Sequence, residues 1–174
     1  MSKQTYIILL RGVNVGGNNI LPMKELKGLL QANGYENVST YIQSGNIVLT
    51  SVNHPAKAVA EQIEQNFGFY PEVMVLTDDE LHKIIERNPY KEFEGKFVHF
   101  YLCNETPNVN IELLKRLLSS TECYEIHGNV FYLHAPDGVG RSKLIANIEK
   151  CLGVSATGRN LNTMNTLESM LSIS

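Results

Sequence analysis

Ile42-Gln43-Ser44-Gly45-Asn46-Ile47-Val48-Leu49 and Ile126-His127-Gly128-Asn129-Val130-Phe131-Tyr132-Leu133 are two copies of one pattern. In each, an apolar residue leads into a short polar turn holding a Gly-Asn pair, and an apolar run follows. Glycine and asparagine tolerate the positive φ of tight turns, so both stretches read as β-hairpins. Val38 to Gln43 forms the incoming arm of the first and Ile47 to Thr50 its outgoing arm. Cys123 to His127 and Val130 to Ala135 do the same for the second.

Working outward, Tyr6 to Leu10 is an unbroken apolar run ended by Arg11-Gly12, too short for a helix, and reads as a strand buried on both faces. Pro22 suits a helix start, and Met23, Leu26, Leu29 and Leu30 recur at helical spacing until Asn33-Gly34. Ala56, Val59, Ala60, Ile63 and Phe67 form a second helical stripe, and Pro71 to Leu76 another strand. Thr77-Asp78-Asp79-Glu80 has the form of a capping box and opens a connecting helix that must stop near Asn88-Pro89. The order then recurs: strand Phe97 to Leu102, helix Ile111 to Leu118, the second hairpin, helix Arg141 to Leu152, and a strand at Ala156 to Arg159. The reading is α+β, with two tandem ferredoxin-like βαββαβ units at 1–77 and 96–160, a connecting helix and linker at 78–95 and a C-terminal helix at 161–174. The alternative is one larger α+β sheet in which the hairpins share strands.

The 174 residues are 43% hydrophobic and 19% charged, with a net charge of -3, so the surface as a whole does not attract a polyanion. A nucleic-acid role would need a local basic patch. No apolar stretch approaches a membrane span, and the N-terminal run reads as a strand, not a signal peptide. Cys103, Cys123 and Cys151 form no C-x-x-C pair, which fits reduced thiols in a cytoplasm and small buried hydrophobes. His99, His127 and His134 lie in expected strands without metal-ligand spacing and read as partly buried core histidines. Ser44 has no His or acid tied to it, and no general acid/base pair stands out. The sequence therefore leaves open whether the protein is an enzyme and names no cofactor and no metal.

Three polar segments carry the candidate site. In the first unit the loop after strand one and the hairpin turn emerge at the same end, which makes neighbours of Arg11, Asn14, Gly16 and Gly17 and of Gln43, Ser44 and Asn46. Glycine there permits close backbone approach, and free helix N–H groups suit a carboxylate or phosphate. Asp137-Gly138-Val139-Gly140-Arg141-Ser142-Lys143 places Arg141, Ser142 and Lys143 at an expected helix start, where cations are unfavourable unless an anion or an acid compensates. The spacing matches neither a Walker A loop nor a Rossmann fingerprint. The third segment, Thr157 to Thr163, contributes Arg159 and Asn160 and is expected to cap the last helix through Asn162 or Thr163.

Arg11-Gly12-Val13-Asn14-Val15-Gly16-Gly17, Thr40-Tyr41-Ile42-Gln43-Ser44-Gly45-Asn46, Asn88-Pro89, Gly140-Arg141-Ser142-Lys143-Leu144 and Arg159-Asn160-Leu161-Asn162-Thr163 together resemble the bacterial DUF1697 family. The resemblance runs over essentially the whole chain and implies no activity, because none is assigned to the family. Its pattern often carries an aromatic where Leu161 stands here. The matching blocks are the polar loops, which implies that they form one site. The functional expectation is a protein binding a small anionic or phosphorylated ligand in a Gly/Asn/Arg-lined pocket between the two units. The alternatives are a nucleic-acid module of RRM-like topology, although the RNP1 pattern is absent, and a non-catalytic protein-interaction domain. No membrane partner is expected, and a monomer is favoured over a dimer.

Overall fold

The computed structural model describes residues 2–171. The chain is an α+β protein with two four-stranded antiparallel sheets, and it divides into two compact units. The first runs to Lys83 and takes in the segment from Thr166, and the second is Ile84–Asn165. Each hairpin stays within its own sheet, so the single-sheet alternative is set aside.

In the first unit β1 (Gln4–Arg11), α1 (Met23–Ala32), β2 (Glu36–Tyr41), β3 (Asn46–Ser51), α2 (Ala56–Phe67) and β4 (Glu72–Thr77) follow in order. The sheet runs β2-β3-β1-β4. The unbroken apolar character of β1 is explained by its central place, with Ile7, Ile8, Leu9 and Leu10 all at 0% exposure. Tyr6, Ile8 and Leu10 share one core cluster with Ile47, Leu49, Leu26, Leu30, Val59 and Ile63. Each such aliphatic side chain contributes on the order of 1.5–3 kcal/mol by leaving water. Gly68 ends α2 in the left-handed conformation that its missing Cβ permits.

The capping box at Thr77 forms as read: Thr77 N–H donates to Glu80 Oε1 at 3.0 Å and Glu80 N–H donates to Thr77 Oγ1 at 3.2 Å. It opens α3 (Asp78–Glu86). No described helix is long and apolar enough to cross a membrane.

In the second unit a 3-10 turn at Gly95–Phe97 leads to β5 (Val98–Cys103), α4 (Ile111–Leu117), β6 (Cys123–His127), β7 (Val130–His134), α5 (Lys143–Ala146), α6 (Ile148–Leu152), β8 (Ala156–Asn160) and the start of α7 (Leu161–Leu171). The sheet runs β6-β7-β5-β8. Phe131, Leu133, Leu114, Leu144, Cys151 and Leu152 meet in its core cluster.

The structure refines the sequence reading along the chain. The helix expected over Arg141 to Leu152 is two short helices, because Asn147 at φ -126° leaves helical geometry and its Nδ2 donates to Lys143 O at 2.9 Å. Arg11, grouped with the loop after strand one, is the last residue of β1, while Arg159 lies in β8, within the strand expected at Ala156 to Arg159. The cap of α7 is Asn160, whose Oδ1 accepts from Thr163 N–H at 2.9 Å, in place of Asn162 or Thr163. The C-terminal helix is observed to Leu171, and residues 172–174 of the expected span lie outside the described residues.

Candidate functional site

The loop after β1 and the β2–β3 turn do meet, and Asn14 joins them. At φ 55° its side-chain amide donates to Leu21 O at 2.9 Å and to Gln43 O at 2.7 Å, while its Oδ1 accepts from Leu21 N–H at 2.7 Å. Asn19, also left-handed at φ 50°, donates from Nδ2 to Gly12 O at 3.1 Å. Gly16 and Gly17 make a tight turn closed by Asn18 N–H to Val15 O at 2.9 Å. In the hairpin, the fully buried Asn46 donates from Nδ2 to Tyr41 O at 3.0 Å and to Ser44 Oγ at 2.8 Å. Arg11 forms an ion pair with Glu72 at 3.0 Å. The polar groups here face one another, and Asn14 and Asn46 spend their amides on local backbone carbonyls and a hydroxyl. Gln43 contributes its carbonyl to Asn14, and its side chain is exposed.

The second cluster differs. Arg141, Ser142 and Lys143 line a cleft of about 490 Å³ together with Arg116, Leu117, Leu118, Ser119, Glu122, Asp137 and Gly138, all in the second unit. The cleft lies where the end of α4 meets the loop entering β6 and the loop entering α5. Glu122 is 8% exposed, accepting from Ser119 N–H at 2.8 Å and from Ser142 Oγ at 2.6 Å. Ser142 Oγ in turn accepts from Ile145 N–H at 3.2 Å, capping α5. Asp137 accepts from Thr121 Oγ1 at 2.6 Å. Both acids of the cleft are thus held by neutral donors. Among the described residues no ion pair reaches Arg116, Arg141 or Lys143. The expectation that cations at a helix start mark an anion loses its dipole argument, since α5 has four residues. The excess of three cations over two carboxylates around the cleft takes its place.

Sequence reading missed Arg116, Ser119 and Glu122. Arg116 sits in the last turn of α4, where a cation is ordinary helix chemistry. The available signal was topological: the helices after the first and third strands of a βαββαβ unit lie side by side, so the end of one faces the start of the next.

Arg159 and Asn160 serve β8 and its junction with α7. Arg159 is 9% exposed, its guanidinium donates to Gly158 O at 2.8 Å, and burial lowers its pKa to about 10. Leu161, where the family pattern often has an aromatic, is buried at 7% exposure, so the position is a packing one.

The histidines divide. His99 is half-buried, and desolvation lowers its pKa against a raising hydrogen bond with the Lys96 backbone. His134 stacks on Phe93 with centroids 3.8 Å apart. His127 is exposed beside Glu125 at 3.0 Å, contrary to the core reading. Cys103 and Cys151 are buried, and desolvation raises the Cys103 thiol to about 11, but Cys123 is exposed and corrects the expectation of three buried thiols. Among the described residues no group of three or more His, Cys, Asp or Glu side chains is placed to hold a metal ion.

Two antiparallel sheets with matching strand order, and a cation-lined cleft on the second, define an α+β protein of two repeated units. Its similarities agree with that description. The chain belongs to the DUF1697 family, described as protein of unknown function, which it matches over residues 3–132. The blocks at Gly140 to Leu144 and Arg159 to Thr163, which also carried the resemblance, lie beyond that match. The chain is similar in fold to the conserved bacterial protein SP0830 from Streptococcus pneumoniae, with a TM-score of 0.71 and 24% identity over 98% of this chain and 99% of that one. No curated protein matches it.

Proposed function

We propose that the cleft on the second unit binds a small phosphorylated or carboxylate ligand. The observation that carries the reading is the absence of ion-pair partners, among the described residues, for Arg116, Arg141 and Lys143 around a cleft of about 490 Å³. Two guanidinium groups and an ammonium offer forked and single donors to phosphate or carboxylate oxygens. The cations outnumber the two carboxylates of the cleft, Glu122 and Asp137, and a bound anion balances the excess positive charge. Ser142 and Glu122 hold the cleft walls, while the bases make the contact. Arg11, Asn14 and Asn46 are read as the framework of the first unit, because their polar atoms are engaged within it.

Each unit is read as ferredoxin-like, a topology supported by the second-third-first-fourth strand order in both sheets. A cytoplasmic setting is supported by three free cysteines. The small-ligand reading is preferred to an RRM-like one because Ile7, Leu9 and Val48, on the sheet face turned from α1 and α2, are aliphatic and buried. RNA stacking needs exposed aromatic rings on such a face.

The test is a thermal-shift screen against inorganic phosphate, sugar phosphates, nucleotides and small carboxylates, followed by calorimetric titration of hits. A ligand at about 100 times its Kd stabilises the folded state by about 2.7 kcal/mol. Arg141→Ala is expected to weaken binding about tenfold or more, and Arg116→Ala similarly, with melting of the free protein unchanged. A flat screen, or hits that survive both substitutions, overturns the assignment.

A further inference from the structure

A sheet edge presents unpaired backbone N–H and C=O groups that template another strand, and folded proteins blunt such edges with charges, bulges, glycine, proline or coverings. The two sheets have four edges: β2, β4, β6 and β8. Strand β2 is interrupted by a register shift between Glu36 and Ser39, with Asn37 at φ 52°. Strand β8 carries Gly158 and Arg159, and Ala156 N–H donates outward to Glu149 Oε2 at 3.0 Å. Strand β6 has Glu125 at its centre. Strand β4 pairs with β1 in unbroken register over six residues and, after Glu72, reads Val73-Met74-Val75-Leu76-Thr77 without charge, proline, glycine or bulge.

Which groups of β4 point outward follows from the ladder. Leu10 N–H donates to Gly45 O at 2.8 Å, so the even-numbered residues of β1 turn their backbone groups toward β3 and the odd-numbered ones toward β4. Arg11, Leu9 and Ile7 therefore bond to Glu72, Met74 and Leu76, their register partners. Val73, Val75 and Thr77 face outward. Thr77 agrees, because its N–H is taken by Glu80 in the capping box. Among the described residues, the groups left without a strand partner in the middle of the edge are those of Val73 and Val75.

We infer that this edge pairs antiparallel with the same edge of a second copy, centred on Met74. Matching outward residues to outward residues gives Val73 opposite Val75 of the other copy in both directions, Met74 opposite Met74, and Glu72 opposite Leu76. That register forms four backbone hydrogen bonds and opposes no like charges. Centring on Val75 instead would require the Thr77 N–H that Glu80 occupies. The same exercise on β6 has Tyr124 and Ile126 facing outward and sets Glu125 against Glu125, a repelling pair at close range. The self-association is thus assigned to β4, the edge with no charge at its centre. It departs from the monomer favoured in the sequence reading.

Sedimentation velocity across micromolar to millimolar concentration tests it: the wild type is expected to move from the 19.5 kDa chain mass toward twice that value. Met74→Lys sets two ammonium groups opposite each other and is expected to weaken the dimer at least tenfold. Met74→Cys, made with Cys123→Ser and oxidised by copper phenanthroline, is expected to cross-link. Opposed non-hydrogen-bonded Cα atoms lie about 4.5 Å apart, within disulfide reach. Glu72→Cys in the same background is expected not to, since its two copies sit at opposite ends of the paired strands. A wild type that stays monomeric throughout, a Met74→Lys variant that dimerises as well as wild type, or cross-linking of Glu72→Cys equal to Met74→Cys overturns the pairing.

Discussion

Replacing Asn14 separates framework from ligand contact in the first unit. Its side chain makes three hydrogen bonds, donating to Leu21 O and Gln43 O and accepting from Leu21 N–H, and its backbone is held at φ 55°. A net contribution of about 0.5–1.5 kcal/mol per bond puts Asn14→Gly at a loss of about 1.5–4.5 kcal/mol, with no steric penalty at positive φ. Asn14→Ala loses the same bonds and adds about 1–2 kcal/mol for a Cβ in the left-handed region. Asn14→Asp keeps the acceptor for Leu21 N–H but presents an oxygen to two carbonyls, so it loses two bonds, about 1–3 kcal/mol, before any repulsion. Against a total of about 5–15 kcal/mol these are large fractions, readable from urea midpoints at constant slope. The expected order is wild type, then Gly, then Ala, with Asp also destabilised. An Asn14→Gly protein within about 0.5 kcal/mol of wild type would show that the bonds do not hold the loop to the hairpin, and the framework reading would fail.

Gly45→Ala would bring a Cβ to 2.7 Å from Leu10 Cβ and 2.8 Å from Val13 Cγ2, whereas at Gly12, also at positive φ, a Cβ meets nothing within 4 Å. Overlap then adds about 1–3 kcal/mol at Gly45 alone, so Gly45→Ala should melt well below Gly12→Ala, and equal losses would refute the close approach. A maleimide reagent near neutral pH is expected to label Cys123 first and Cys103 and Cys151 only on unfolding, as peptide mass mapping would show. Burial holds the His99 pKa below its unfolded value, so the unfolded state takes up a proton first as pH falls and stability drops below about pH 6.5. His99→Gln should flatten that part of the urea-midpoint profile, and an unchanged slope would remove His99 as its source.

Much of the architecture was legible because its signals are local. The Thr77 and Glu80 capping box, the Cys123 to His127 arm and the Gly128-Asn129 turn depend on neighbours a few residues away, and each formed where it was read. The break at Asn147 was not legible. Leu144, Ile148, Cys151 and Leu152 keep a buried stripe across it, and periodicity records the stripe rather than the backbone beneath. Arg159 was legible as the end of the last strand, and its register opposite Phe100 places it there. The candidate site was half legible: glycine and cation spacing marked the Arg141 segment, while Arg116 and Glu122 entered only through the proximity of α4 to the later loops.

Glu122 carries the consequence of that proximity. One carboxylate tethers the residue leaving α4, Ser119, to the residue entering α5, Ser142, so the spacing of the cleft walls is set without using any of its bases. Scaffold and recognition are therefore separable by inheritance. On the proposed function, exchange of Arg116, Arg141 or Lys143 would retune which anion is preferred while the mouth keeps its width, whereas drift at Glu122 would alter the width for every ligand at once.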